Sequence, residues 1–576
     1  MRTLAPLDYA IIVAFLALSL GAGMLFTRSA GRSTKDFFLS GRSLPWWLAG
    51  VSMAATNFSI DTPLAITRYV AQQGIGGVWF FWSSGIAALL AAFLFSRLWS
   101  RAGVVTDAEL IELRYAGRPA AFLRLFKGFY FGVFLNCYVL GWVLKAVVKV
   151  LSGVTDLPLG LTLTACVVVA LIYTLASGLE GVVWTDLLQY GVGMLGSLVL
   201  AVLALHAVGG VEGLRAGLDA QWGSSAEILR LLPRLGAPPG GETAGPWMPT
   251  SVFLVYAGVQ WWAHKYADGG GKHIQRMLAC RSEGDAQGAT FFFAVINYAV
   301  QVWPWILTAL CAMVILGHLP DAEMGYPLLM AKLLPAGLLG LLVVTLLSAF
   351  MSTVDTHLNL GASYIVNDIY QRFIVKDAYP AHYVMVSRVV MLLTLGLALL
   401  VAWSIDSIGD AWKFVLSFAS GAGLTWILRW FWWRVNAWSE LSAMVTSGLA
   451  TIVTTLAWPD MPHTERLLWV VGVSTVVWLA VTYATAPVPE ATLAAFLRKV
   501  RPGSPGWSRQ YSALGLAPDH FLARGLVDWG LGVVCLFSLN FGIGALIFGP
   551  RPLGALLVGF AAAAGVLLWR RVRAAT

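Results

Sequence analysis

The chain has 576 residues, of which 58% are hydrophobic and only 12% charged. A soluble protein of this length carries about twice that charged fraction, so there is no room for a large soluble domain. The formal charge of +9 does not point to nucleic acid, because lysine and arginine collect in the cytoplasmic loops of membrane proteins.

Apolar runs near 20 residues recur from end to end, long enough to cross the hydrocarbon core of a bilayer. The expectation is an all-α polytopic protein of the cell (inner) membrane, with the lipid bilayer as its partner. A barrel is excluded, because its strands would be short and alternate in polarity. In chain order the runs lie near 8–26, 45–70, 76–99, 122–152, 158–177, 182–208, 248–268, 287–317, 334–368, 383–404, 409–433, 437–458, 466–486, 526–548 and 552–571. The first is long and is followed by the basic stretch RSAGRSTK rather than a cleavage site, so it reads as a spanning helix and not a signal peptide.

About 15 spans place the termini on opposite sides. Basic residues fall in alternate connections: Arg28, Arg32, Lys35 and Arg42 after span 1, and Arg101, Arg114, Arg118 and Arg124 after span 3. Lys272, Arg276 and Arg281 follow span 7, Arg498, Lys499, Arg501 and Arg509 follow span 13, and Arg570, Arg571 and Arg573 end the chain. The connections between, such as 321–323, 406–410 and 460–465, are acidic or poor in base. The N-terminus is therefore expected outside and the C-terminus inside.

The organisation expected is a first helix and cytoplasmic loop (1–44), a first repeat of spans 2–6 (45–208), and a partly ordered extracellular loop rich in Gly and Pro (209–247). A second repeat of spans 7–11 (248–434), spans 12–13 (435–486), a cytoplasmic linker (487–525) and two appended helices (526–576) complete it. The five cysteines are scattered without metal-ligand spacing and read as small buried residues.

Span 2 contains SMAATNFSIDTPLAI, with Asn57, Ser59, Asp61, Thr62 and Pro63 in close succession. A carboxylate within a span is costly and marks a functional candidate. Pro63 removes a backbone donor, and carbonyls freed at membrane depth must line a cavity or bind something. The competing reading is a kinked helix with Asp61 reaching the outer surface. LASGLEGVVWTDLLQ, 175–189, makes a tight turn and places Asp186 in span 6. Span 7 is interrupted at QWWAHKYADGGGKH, 260–273. Its DGGGKH lacks the earlier glycine and the hydroxyl after lysine that a phosphate loop needs, so nucleotide binding is rejected, with Lys272 expected at the cytoplasmic surface. Span 9 carries LLSAFMSTVDTHLN, in which Ser348, Ser352, Asp355 and Asn359 recur at helical spacing beside Thr353 and Thr356. Hydroxyls and carboxylates are hard donors suited to a small cation such as sodium.

These motifs, with RSTKDFFLSGRSLPWWLAG before span 2 and IQRMLACRSEGDAQ after span 7, resemble in content and order the sodium:solute symporter family, over roughly residues 5–450. The family includes proline, sugar, sialic acid and pantothenate symporters. The resemblance implies the leucine-transporter fold, two inverted five-helix repeats in which spans 2 and 7 are broken. It implies a sodium site of the Ala55, Phe58 and Ala349 carbonyls with the Ser352 and Thr353 hydroxyls. Some members hold a second sodium at positions matching Asp186, Ser352, Asp355 and Thr356, where Asp355 replaces a more usual hydroxyl. The solute would lie between the broken helices and span 3, against Asn57, Asp61, Thr62, Gln260, Trp261, Trp262 and Tyr266, with Trp79, Trp82 and Ser83 from span 3. Tyr266 matches an inner-gate tyrosine of the sugar-transporting branch. Two departures stand out: Asp61 is acidic where the family usually is not, and Ser177–Gly178 replaces a glycine pair.

The function expected is secondary active transport, with inward sodium flow driving uptake of a small polar solute. The solute would be amino-bearing or cationic, or a sugar or polyol. Sodium is the coupling ion and sole metal; no organic cofactor, nucleic-acid partner or enzyme activity is expected. The alternatives are a proton-coupled symporter working through Asp186 and Asp355, and a transporter-like sensor that signals through a separate partner. Oligomeric state is left open.

Overall fold

The structure, a computed structural model, describes residues 3–26, 43–104, 106–176, 179–236, 245–503, 505–517, 519 and 521–574. Among these residues the fold is helical, and its one β-bridge pairs Leu44 with Cys280. Ten helices are long and apolar enough to cross a membrane, or eleven if one bent pair counts as a single span. Of the other expected spans, 1 and 5 are the continuous helices Pro6–Phe26 and Leu159–Ala176, and 2 and 7 are interrupted.

Helix α1 is Pro6–Phe26. Span 2 divides into α2, Trp46–Asn57, and α3, Asp61–Gln73. Then come α4, Ile75–Ala102, α5, Glu109–Arg114, and α6, Gly117–Val154. Between helices α7, Leu159–Ala176, and α8, Leu179–Ala207, residues 177–178 lie outside the described residues, and the Ser177–Gly178 departure with them. Span 7 is shorter than expected. Its helix α10, Thr250–Gln260, ends in a widened turn, residues 261–270 are not helical, and a short helix, Ile274–Leu278, follows. A run of three glycines, Gly269 to Gly271, and Tyr266 with φ 62° have little to gain from helix. The connection before it contains helix α9, Gly210–Trp222, with Leu214 and Leu218 buried, and residues 237–244 lie outside the described residues.

The second half follows as α11, Glu283–Leu316, α12, Gly325–Leu333, α13, Leu338–Ile374, and α14, Pro380–Ser404. The bent pair is α15, Ile408–Ser420, and α16, Gly423–Phe431. Helices α17, Ala437–Ala457, and α18, His463–Ala484, form a hairpin. Polar caps start several helices: Ser282 accepts from the Asp285 N–H, Ser407 from that of Asp410, and Asn436 with Ser439 forms a reciprocal box. Close packing relies on small residues. A Cβ on Gly50 of α2 would stand 2.8 Å from the Ala289 carbonyl oxygen of α11.

Two expectations about the C-terminal third change. Segment 487–525, expected as a linker, contains helix α19, Glu490–Val500, whose Phe496 and Leu497 are buried. The terminal helices α20, Phe521–Phe548, and α21, Arg551–Ala574, are docked. The Trp529 indole donates to the Ile86 carbonyl (3.0 Å) and the Asn540 amide to that of Tyr298 (3.0 Å). Phe537 stacks on Trp79 with ring centroids 4.8 Å apart.

Candidate solute cavity and cation site

A cavity of about 310 Å³ lies where the two interrupted spans face one another. From the α2–α3 break it is lined by Asn57, Ser59, Asp61 and Thr62, and from the non-helical part of span 7 by His264, Lys265, Tyr266 and Lys272. Helix α4 contributes one stripe, Phe80, Phe81, Ser84, Ala87, Ala88 and Ala91, spaced as one helix face. Trp142 of α6, Thr353 and His357 of α13, and Trp412 of α15 close it.

Of the residues expected to meet solute, Asn57, Asp61, Thr62 and Tyr266 line this cavity. Trp79, Trp82, Ser83, Gln260, Trp261 and Trp262 are not among its lining. The tryptophan-bearing face of α4 points elsewhere. Trp79 donates to the Leu231 carbonyl (2.7 Å), and Trp82 is fully buried beside Trp303. Gln260 donates to Ser83 (2.9 Å) and to the Phe80 carbonyl (2.8 Å), joining α10 to α4. Trp261 packs on Trp529 of α20, and Trp262 bonds its own helix at the Gly258 carbonyl (2.9 Å). Large aromatic rings were filling an interface with the terminal helices, which sequence alone did not place.

The break in span 2 has a local cause. Pro63 has no N–H to give to the Ser59 carbonyl. The Thr62 N–H takes that acceptor instead (3.1 Å), and the Phe58 N–H bonds the Ala54 and Ala55 carbonyls (2.8 and 3.1 Å). The Phe58 carbonyl is left without a main-chain donor among the described residues. Opposite this break, the Thr353 hydroxyl lies 3.2 Å from that of Ser59 and donates to the Ala349 carbonyl at 2.8 Å. Of the expected sodium-site residues, Thr353 reaches the α2–α3 break through Ser59 and Ala349 accepts from Thr353, whereas the Ser352 hydroxyl donates away, to Asp186 (3.0 Å).

Asp186 is the centre of a second cluster. It accepts from Ser352 and from Ser52 (2.9 Å), and its carboxylate stands 3.9 Å from the Arg276 guanidinium. Arg276 also donates to Ser52 (3.1 Å) and to the Lys272 carbonyl (3.1 Å). Asp355 accepts from the Asn359 amide (2.9 Å). Among the described residues no group of three or more His, Cys, Asp and Glu side chains could hold a metal ion.

Three features of this site escaped sequence reasoning. Lys265 and Lys272 reach the cavity rather than the surface, because the chain turns back on itself after Gln260. Arg276 faces Asp186 across 90 residues of chain, and so is not a loop charge. Trp412 donates its indole N–H to the Asp61 Oδ2 at 3.0 Å, so Asp61 does not reach the outer surface. The only available signal was the density of basic residues inside the glycine-rich run.

Comparison with known proteins places the whole chain rather than the individual residues of this site. The chain is 26% identical over 494 residues to the sodium/glucose cotransporter of Vibrio parahaemolyticus, covering 81% of this chain and 88% of that one. It is 25% identical to sodium/glucose cotransporter 4 of Danio rerio, covering 85% and 80%. The solved structure of a Na+-coupled sialic acid symporter superposes with a TM-score of 0.67 at 18% identity, covering 84% of this chain and 99% of that one. That likeness supports the leucine-transporter fold. Residues 37–447 match the model of the sodium:solute symporter family, and the chain, a multi-pass membrane transporter, belongs to that family.

Proposed function

We propose that the chain couples inward sodium flow to uptake of a small polar organic solute by alternating access, in the cell membrane, with its N-terminus outside. The observation that carries this reading is the single cavity shared by both interrupted spans, with the Ser59–Thr353 contact in its wall. Sodium bound by the Ala55, Phe58 and Ala349 carbonyls and the Ser352 and Thr353 hydroxyls would bridge α2 to α13. The Phe58 carbonyl has a lone pair to give, and the hydroxyls add no formal charge, so the ion is held and released without an ion pair to break. Sodium stabilises the form that binds solute, and both leave when the cavity opens inward.

At the second cation position, Asp186, Ser352, Asp355 and Thr356, Arg276 supplies the positive charge beside Asp186, and one sodium per solute is the stoichiometry that fits. For the solute, Asp61 no longer argues for a cationic molecule, because Lys265 and Lys272 line the same cavity. Of the two classes open from the sequence, a hydroxylated one fits better, with Asn57, Asp61, Thr62 and Tyr266 as its polar contacts and Trp142 and Trp412 against its apolar faces.

The test is thermal stability of the purified protein in sodium, potassium and choline. A ligand of the folded state at 100 times its Kd stabilises by about 2.7 kcal/mol. Sodium alone should raise Tm, and Thr353→Ala should abolish the difference between cations. Equal Tm in all three would remove the sodium site.

A further inference from the structure

The charges in the cavity do not balance. Its wall carries two ammonium groups, Lys265 and Lys272, and one carboxylate, Asp61. Among the described residues neither lysine has a carboxylate within ion-pair distance, 4.0 Å. The Lys272 Nζ reaches only the Thr56 carbonyl, at 3.4 Å. The Lys265 Nζ stands over the rings of Trp142 (5.6 Å) and Tyr266 (5.9 Å). These rings fix its position but supply no counter-charge. Asp61 shares the cavity wall with both lysines, yet only its Oδ2 is well bonded, to Trp412. Its Oδ1 is buried without a well-formed hydrogen bond, beside the Ser59 hydroxyl.

We propose that the solute is a small monoanion of the sugar-acid class. Its carboxylate is held by Lys265 and Lys272, and a hydroxyl donates to the Asp61 Oδ1. The inference rests on the symport reading above and names its cargo. Summing these three side chains gives a net single positive charge. A neutral sugar or a zwitterionic amino acid leaves that charge uncompensated in the cavity, and an amino sugar doubles it. A monoanion cancels it, which matters because an uncompensated charge is expensive to bury. The hydroxyl requirement comes from Asp61, an acceptor that needs a donor. The volume of about 310 Å³ is at the small end of ligand pockets, about 300–1,000 Å³, and suits a monomer. Thr353 of the candidate sodium site, and Ser59 in contact with it, also line the cavity. Sodium there adds positive charge to the same wall, so ion and anion each favour the other's binding, and that favour is reciprocal.

The experiment measures Tm of the sodium-loaded protein against D-glucuronate, D-galacturonate, D-glucose and D-glucosamine over a concentration series. At least one sugar acid should stabilise at roughly 10- to 100-fold lower concentration than its neutral or amino counterpart, the value of a charge-assisted hydrogen bond. Lys265→Gln and Lys272→Gln should each remove that preference, and Lys265→Arg should keep part of it. Stabilisation by glucose or glucosamine at equal or lower concentration overturns the proposal. So does stabilisation by none of the sugar acids. The wild-type order needs no variant, so a misfolded mutant leaves the test intact. A sodium-against-potassium difference without any sugar reports separately on symport: if it persists while the acids fail, only the cargo assignment falls.

Discussion

Two sets of buried charge lie within this molecule, and they are finished differently. At the end of span 7, Asp268 accepts from Arg429 (2.5 Å) and the Trp430 indole (2.8 Å). Arg429 continues to Glu440 (3.5 Å), which also accepts from Tyr115 (2.6 Å) and lies 3.8 Å from Lys127. Lys127 in turn pairs with Asp107 (3.3 Å), and Asp107 accepts from Tyr364. Acid and base alternate, and each of these charged side chains is nearly inaccessible. In the cavity the lysines are half-buried and wait for a partner. The difference teaches where the protein spends charge on shape and where it keeps charge for a ligand. A paired network fixes one arrangement of helices, here α6, span 7, α13, α16, α17 and the residues that flank α5. An unpaired set costs stability until something binds.

The largest expected effect comes from breaking the paired set. Arg429→Met leaves Asp268 and Glu440 buried without their shared cation. Removing one partner of a buried pair costs about 3–5 kcal/mol. The measurement is Tm in detergent, with Arg429→Met/Asp268→Asn expected to recover part of the loss. A loss no larger than that of a surface variant would erase the contrast.

The cavity should respond in the opposite sense. Lys265→Met removes a charge that has no ion-pair partner. Stability without solute should stay within about 1 kcal/mol of the parent or rise, whereas solute-dependent stabilisation should vanish. A destabilisation as large as that of Arg429→Met would mean that Lys265 is structural.

The same contrast explains what the sequence made legible. Pro63, the triple glycine and the hydroxyls of α13 announce themselves locally, because breaks and hard oxygen donors are properties of a short stretch. So the broken spans and the family resemblance were readable. Charge pairing is not local. Arg276 and Lys272 counted as loop residues until folding set one beside Asp186 and the other in the cavity. Helix α4 carries a tryptophan face and a small, mixed face. Aromatic content favoured the former for solute, but Trp79 and Trp82 pack against α20 and α11, and the cavity received the face with Ser84 and the alanines.

A smaller effect is expected at Gly271. Its φ is +70°, and a Cβ there would stand 2.5 Å from the Tyr266 ring. Gly271→Ala must strain the backbone and push the ring away from Phe131, on which it stacks at 5.0 Å. A cost of about 1–3 kcal/mol in stability is expected, with a larger change in transport rate than in solute affinity. Equal changes in both would assign Tyr266 to solute contact alone.

The smallest effect is expected at an exposed ion pair between α3 and α15. Arg68 of α3 and Asp410 of α15 pair at 2.7 Å, but their side chains are 20% and 56% exposed. Such pairs are worth about 0–1 kcal/mol and weaken with salt. Asp410 also sits in the first turn of α15, where a negative charge contributes about 0.3–1 kcal/mol. Asp410→Asn should therefore lower Tm only slightly, and less at high salt. Arg68 keeps a second carboxylate, Glu323, at 3.9 Å, so the link from α3 to the helices around Glu323 survives. The exposed pair is then the one that thermal motion breaks first, while the buried alternating network holds. A loss at Asp410 comparable to that at Arg429 would show that both are latched with equal strength.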